Sequence, residues 1–174
     1  IVVIDAERGL EAQDVNLITL AERQGKGMVI MVNKWDLVEK DSKTSEKFKK
    51  DIMEKLAPID YIPVMFASVV TKQRIFQVIE KTVQVYENKT KKVPTAKVND
   101  LMLPEIVRNP PPSMKGKHIQ IKYITQVNAR FPSFVFFCNL PQYIQRSYER
   151  FLENKLREHF DFEGVPVRLI FRKK

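Results

Sequence analysis

Three short apolar runs punctuate the first half of the chain, and each ends abruptly on polar residues. Ile1-Val2-Val3-Ile4 runs into Asp5, Met28 to Val32 runs into Asn33-Lys34-Trp35-Asp36, and Tyr61 to Ala67 runs into Ser68. Each is too short for a helix and apolar on both alternating sets of positions, the signature of strands covered on both faces of a parallel sheet. Between them lie helical periodicities. Val15 to Gln24 carries apolar residues at 15, 17, 18, 20 and 21. A segment capped by Ser42 or Thr44 runs to Leu56 with Phe48, Ile52 and Leu56 on one face, and Pro58 ends it. Lys72 to Tyr86 repeats Ile75, Val78, Ile79, Val83 and Tyr86. Strand and helix alternate three times, which predicts a parallel sheet with crossover helices. Asp5, Asn33 and Ser68 then converge on the carboxyl rim of that sheet, where open α/β folds hold their ligands.

The pattern changes after Asn88, where a lysine-rich, proline-broken stretch to Asn99 marks a boundary between modules spanning 1–90 and 91–174. Thr95 is placed to cap a short helix with Val98, Leu101 and Met102, and Asn109-Pro110-Pro111-Pro112 makes a stiff connector. Lys117 to Thr125 alternates Ile119, Ile121 and Tyr123 against His118, Gln120 and Lys122, the pattern of a half-exposed strand. Ser133 to Asn139 follows as a more apolar strand, and Cys138 within it reads as buried. Pro141 opens a helix with Ile144, Tyr148, Phe151, Leu152 and Leu156 in one stripe. Gly164 precedes a last strand, Val165 to Phe171. The second module is thus expected as helix, strand, strand, helix, strand.

Charge separates the same two halves. Residues 1–90 hold 14 Lys/Arg and 14 Asp/Glu, whereas 91–174 hold 16 and 7, so the whole net +9 belongs to the second module. Such an imbalance points to a polyanionic partner. Two distant histidines and the single Cys138 leave no metal-ligand spacing and no internal disulfide, in keeping with a reducing cytoplasm. No apolar run is long enough to span a bilayer, and no signal-peptide pattern opens the chain.

The tetrapeptide Asn33-Lys34-Trp35-Asp36 carries the sharpest chemistry. A carboxylate accepts two hydrogen bonds side by side, and guanine presents a matching pair of donors in its ring N–H and exocyclic amine. Adenine presents an acceptor at the ring position, so Asp36 would draw one purine and repel the other. The Asn33 amide can face N7 and O6, the Lys34 stem can lie along the base plane, and Trp35 is left as a packing residue. A backbone N–H at Ser68-Val69 could donate to the guanine O6; because that donor is main chain, Val69 need not be any particular residue. A helix cap by Ser68 or Thr71 accounts for the same residues without a ligand. Gly25-Lys26-Gly27 is a turn, since no Ser or Thr follows the lysine.

These features resemble the C-terminal half of the bacterial EngA (Der) family, proteins with two GTPase domains in tandem. The resemblance rests on Val3-Ile4-Asp5-Ala6 with Gly9 and Gln13-Asp14, on Asn33-Lys34-Trp35-Asp36-Leu37-Val38, and on Thr71 with Gln73-Arg74. In the second module it rests on Asn109-Pro110-Pro111-Pro112, Lys122-Tyr123 with Gln126-Val127, Ser147 to Asn154, and Gly164-Val165-Pro166-Val167. It implies that 1–90 form the rear part of a P-loop GTPase sheet and 91–174 an α+β KH-like domain. Asn33, Lys34 and Asp36 would then form the guanine-specificity motif and Ser68-Val69 the second base-contacting motif, with Lys72 replacing a usual glycine. The implied ligands are GTP or GDP with Mg²⁺ held outside this chain. The implied partners are the large (50S) ribosomal subunit or its precursors, ribosomal RNA and the protein's own GTPase domains, with no membrane, in the cytoplasm.

No G-x-x-x-x-G-K-[S/T] occurs in these 174 residues, and no catalytic residue is assigned among them. The purified 174-residue chain is therefore expected not to hydrolyse GTP above background, and measurable turnover would refute this. The Ile1–Asp5 strand is expected at a bare apolar edge, open to pairing with another chain. KH domains that clamp single-stranded RNA use a GxxG loop, and Gly116 and Gly164 each stand alone here. RNA contact therefore falls to the basic residues Lys115, Lys117, Lys122, Arg130, Arg168 and Arg172, which bind phosphates without reading sequence. A second possibility is an RNA-binding module beside an α/β scaffold that holds no nucleotide.

Overall fold

The computed structural model describes residues 1–39, 43–114 and 116–173, so the Ser42 cap and Lys115 lie outside the described residues. Two compact units emerge. The first comprises Ile1–Asn88 with Glu163–Val165, and the second Lys89–Phe162 with Pro166–Lys174.

In the first unit β1 (Val2–Asp5), β2 (Ile30–Asn33) and β3 (Val64–Phe66) form a parallel sheet in the order β1-β2-β3. The central strand is buried on both faces through Ile30, Met31 and Val32, as its continuous apolar run requires. Strand β1 stands at the edge of the sheet, as expected, but it is not buried on both faces: Ile4 is buried and Val3 is 53% exposed. Helix α1 (Ala12–Arg23) begins three residues earlier than its apolar pattern, because the Asp14 carboxylate accepts from the Glu11 amide at 3.0 Å. Helix α2 (Thr44–Leu56) buries Ile52 and Leu56 beside the partly buried Phe48, the face that the sequence indicates.

Helix α3 (Ile75–Thr90) corrects the sequence reading twice. It cannot start at Lys72, because Lys72 and Arg74 both take left-handed backbone angles of φ 59° and 58°. It also buries Val78 and Val85, leaving Ile79, Val83 and Tyr86 exposed. The helix carries apolar residues on more than one side, and periodicity alone does not say which side meets the sheet.

Glu163–Val165 completes this unit from far along the chain. The Gly164 amide donates to the Tyr61 carbonyl and its carbonyl accepts from Met28, each at 2.7 Å. The Asn88 side-chain amide donates to the Glu163 carbonyl at 3.2 Å, and the Lys81 ammonium pairs with the Glu163 carboxylate at 3.1 Å. Val165 falls in this unit with them and not in the strand expected over Val165–Phe171.

The second unit runs α4 (Thr95–Arg108), β4 (Ile121–Val127), β5 (Ser133–Cys138), a 3₁₀ turn over Pro141–Tyr143, α5 (Arg146–Phe160) and β6 (Arg168–Lys173). The order helix, strand, strand, helix, strand is the expected one. Strand β5 lies between an antiparallel β4 and a parallel β6. Val98, Met102 and Ile106 of α4 and Tyr148, Leu152 and Leu156 of α5 meet Ile124, Phe134, Phe136 and Cys138 in one core. Pro94, not Thr95, takes the cap position of α4, and the Thr95 hydroxyl is bonded to that of Thr125 at 3.1 Å. Pro141 opens the 3₁₀ turn, and α5 follows it only at Arg146. The connector at Asn109 is held by the Tyr148 hydroxyl, which donates to the Asn109 carbonyl at 2.7 Å. Burial pushes its pKa up to about 12, so the donor keeps its proton.

Two devices shape strand β4. Asn99 presents its amide to the strand edge, donating to the Ile124 carbonyl at 2.7 Å and accepting from the Ile124 amide at 2.9 Å. A side chain thus does the work of a neighbouring strand and closes an otherwise open edge. The pairing register also slips between Ile121 and Tyr123, with Ile121 opposite Cys138 and Tyr123 opposite Phe137. Lys122 is the extra residue of this bulge. The expected alternation of Ile119, Ile121 and Tyr123 on one face fails here: Ile121 stays buried, Tyr123 turns outward and Ile124 fills the core.

Candidate guanine site and candidate nucleic-acid interface

The carboxyl rim of the first sheet is locked by main-chain bonds that continue the ladder past the strands. Ala6 donates to the Asn33 carbonyl at 3.0 Å, Ala67 to Val32 at 2.9 Å, and Trp35 to the Ala67 carbonyl at 3.1 Å. Asp5 lies directly opposite Asn33 in register. The Asn33 side chain reaches the third strand's loop, where its Oδ1 accepts the Val69 amide at 3.1 Å. Asn33, Lys34 and Ser68-Val69 are therefore tied to one rim, as expected.

One of the expected contacts is already committed within the protein, and the Lys34 head group is held there too. The Val69 N–H, assigned to a base carbonyl from the sequence, donates to Asn33. The Lys34 ammonium sits 2.7 Å from the Asp5 carboxylate and 3.8 Å from that of Glu7. Lys34 itself takes φ 61°, the left-handed turn that lets the chain leave the strand end and bring Leu37 N to its carbonyl at 3.1 Å. The Lys34 ammonium, and secondarily the Glu7 amide, hold the Asp5 carboxyl below its ordinary range, while Asp5 raises Lys34. A depressed carboxylate contributes above its unfolded pKa and loses that contribution as pH falls through the folded value. The pair is thus intact at neutral pH; it opens in acid as Asp5 protonates, and in strong alkali as Lys34 gives up the proton that Asp5 holds on it.

Trp35 is buried beneath the loop against Phe48 and Phe66, the packing role expected of it. Asp36 on its other side is exposed, and among the described residues its carboxylate forms no ion pair. It offers two acceptor oxygens to solvent. Ser68 is fully buried, with its hydroxyl accepting the Thr71 amide at 3.2 Å and its own amide donating to Gln73 at 3.1 Å. This closes a tight loop in which Lys72 carries the left-handed strain that glycine would avoid. Lys72→Gly should therefore raise stability by up to about 1 kcal/mol, or about 2–4 °C in Tm, measured by thermal unfolding. An unchanged or lower Tm would mean that the Lys72 side chain compensates.

The basic candidates of the second unit are spread over one sheet and its loops. Lys117, Lys122, Arg130, Arg168 and Arg172 are all exposed. Lys117 lies 5.8 Å from the Tyr143 ring, and the Arg168 guanidinium 4.9 Å from that of Phe131. Arg168 and Arg172 share the face of β6 turned from the helices, four residues or about 13 Å apart. Sequence reasoning found these charges but missed the aromatic residues beside them, since the bulge that exposes Tyr123 has no signature in the pattern.

Residues 92–172 match the family model described as "KH-domain-like of EngA bacterial GTPase enzymes, C-terminal", and residues 1–88 match the "Elongation factor Tu GTP binding domain". The chain belongs to the EngA (Der) GTPase family. Among curated EngA proteins, the GTPase Der of Cytophaga hutchinsonii is 56% identical over all 174 residues, that of Amoebophilus asiaticus 55%, and that of Bacteroides fragilis 51% over 176 aligned positions. The chain spans about 40% of the length of these EngA relatives. A solved structure of Era with MgGDPNP and nucleotides 1506–1542 of 16S ribosomal RNA aligns over 99% of this chain and 63% of its own at 17% identity. Its TM-score of 0.38 is too low to establish a common fold. Among the described residues, no helix is long and apolar enough to cross a membrane, and no group of three or more His, Cys, Asp or Glu could hold a metal ion.

Proposed function

We propose that residues 1–90 are the rear part of a GTP-binding domain whose rim reads guanine, and that residues 91–174 are a KH-like domain that contacts ribosomal RNA. The protein would act as a cytoplasmic GTPase in assembly of the large ribosomal subunit, docking on that particle and against its own GTPase domains. The observation that carries the reading is the joined rim: Asn33 clasps Val69, and Asp36 stands exposed beside the buried Trp35. The residues present fit a guanine base. Asp36 would accept from the ring N–H and the exocyclic amine, and Asn33, its Oδ1 already bonded, would keep its two N–H groups for the acceptor edge. The Lys34 stem, held by Asp5, would line the base. GTP supplies the phosphoryl group, whose phosphates and Mg²⁺ would be held by the rest of the longer family protein.

Asp36→Asn in the full-length protein tests this. Losing one hydrogen bond to a charged acceptor should weaken GDP binding about 10- to 100-fold, because such bonds contribute roughly 1.5–3 kcal/mol. Xanthosine diphosphate, which carries a carbonyl where guanine carries its amine, should bind better. Ribosomal-particle association should fall with it. Unchanged GDP affinity would sink the guanine reading. Lost GDP affinity with intact association would favour an RNA-binding module on an α/β scaffold.

A further inference from the structure

We propose that the face of the second unit's sheet turned away from α4 and α5 is a stacking platform for the bases of single-stranded RNA, centred on Tyr123 and Phe137 and flanked by Arg172 and Lys122. The inference rests on the RNA reading above and deepens it.

The register puts Tyr123, Phe137 and Arg172 side by side in one row across β4, β5 and β6. The alternate row, Ile124, Phe136 and Phe171, points into the helix-covered core. Tyr123 is 42% exposed, a large fraction for a ring on a strand, and its centroid lies 5.8 Å from that of Phe137 at an interplanar angle of 40°. Farther along the same face Val135 is buried, so the open part of the face is the aromatic end.

The bulge is the second, independent observation. Without it, Tyr123 would share the inward face with Ile121. The extra residue Lys122 turns the ring outward and adds an exposed ammonium next to it. Bulges re-aim side chains at functional positions and give up a ladder hydrogen bond to do so. A core that wanted a phenol would not need one.

The chemistry selects the occupant. Every base has a π-face, and stacking on an aromatic side chain tolerates any sequence. Arg172 adjoins Phe137 in the row, and its guanidinium can take a phosphate or stack in turn. With the +9 charge confined to this half of the sequence, a polyanion with exposed bases fits the face better than an acidic protein. A double helix hides its base faces and would use only the charges. The platform also supplies what the missing GxxG clamp does not.

The test uses the full chain and two labelled RNA probes of about 12 nucleotides, within the site sizes of such surfaces. One carries mixed bases, and the other has the same phosphates with the bases removed. Tyr123→Ala should weaken binding of the first probe about tenfold or more and leave the abasic probe unchanged, while Tyr123→Phe should bind as the parent does. Arg172→Ala should weaken both and flatten the salt slope by about 0.7. A Tyr123→Ala variant that retains its circular dichroism and binds both probes as tightly as the parent overturns the platform but leaves the RNA reading standing. So does one that weakens both equally. A parent chain that binds neither probe at low salt overturns both, and an acidic protein would then be the occupant of the face.

Discussion

Trp35→Ala is expected to cost the first unit about 3–5 kcal/mol, the range for deleting a large buried aromatic ring. The ring is only 4% exposed, meets Phe48 edge-on at 5.6 Å and lies 4.3 Å from Phe66. Aromatic contacts of this kind add to the burial itself. Its position gives the loss a functional edge. Lys34 and Asp36 are its immediate neighbours, and its own amide is bonded to Ala67. Removing the ring should therefore loosen the loop and weaken GDP binding by the full-length protein even though Asp36 remains. Trp35→Phe should recover most of both. Urea unfolding followed by circular dichroism supplies the stability, since Trp35 is the single tryptophan of the chain. A loss below about 1 kcal/mol would mean that the loop is anchored by its main-chain bonds alone.

Gly164→Ala should be nearly as severe, at roughly 2–5 kcal/mol. Its backbone sits at φ 75°, where any side chain costs about 1–2 kcal/mol. An added Cβ would also lie 2.4 Å from a Val85 methyl and 2.9 Å from the Met28 carbonyl oxygen. Backbone cannot step aside as a flexible side chain can, and overpacking of this kind costs about 1–3 kcal/mol. The double variant Gly164→Ala with Val85→Ala should recover only the part owed to valine. Full recovery would show that neither the Met28 carbonyl nor the backbone angle contributes. The readout is the first unit's unfolding midpoint.

The strands and their direction were legible because a continuous apolar run ending in a polar cluster has few other solutions. The order of elements in the second half followed from periodicities of two and of three to four. Failures came where a long-range contact overrode a local pattern. Val165–Phe171 looks like one strand, yet its first residue belongs to the first unit and pairing starts only at Arg168. Tyr123 alternates with its neighbours in sequence, and a single slipped register undoes the alternation. The inward side of α3 could not be chosen from a helix apolar on several sides. At the rim, residue types and spacing indicated Asn33, Lys34 and Asp36. That Asn33 would take the Val69 amide, and Asp5 the Lys34 ammonium, depends on strand register, which one strand's sequence does not encode.

The borrowing of Glu163–Val165 by the first unit sets an order of events during synthesis. The sheet's three strands and their helices leave the ribosome early, but the Tyr61 carbonyl and the Met28 amide have no chain to bond until residue 164 is made. At about 5–20 residues per second that interval is a few to about fifteen seconds. Throughout it the nascent first half lacks the bonds that Glu163 and Gly164 make to Met28, Tyr61, Lys81 and Asn88, while the second module is still being built.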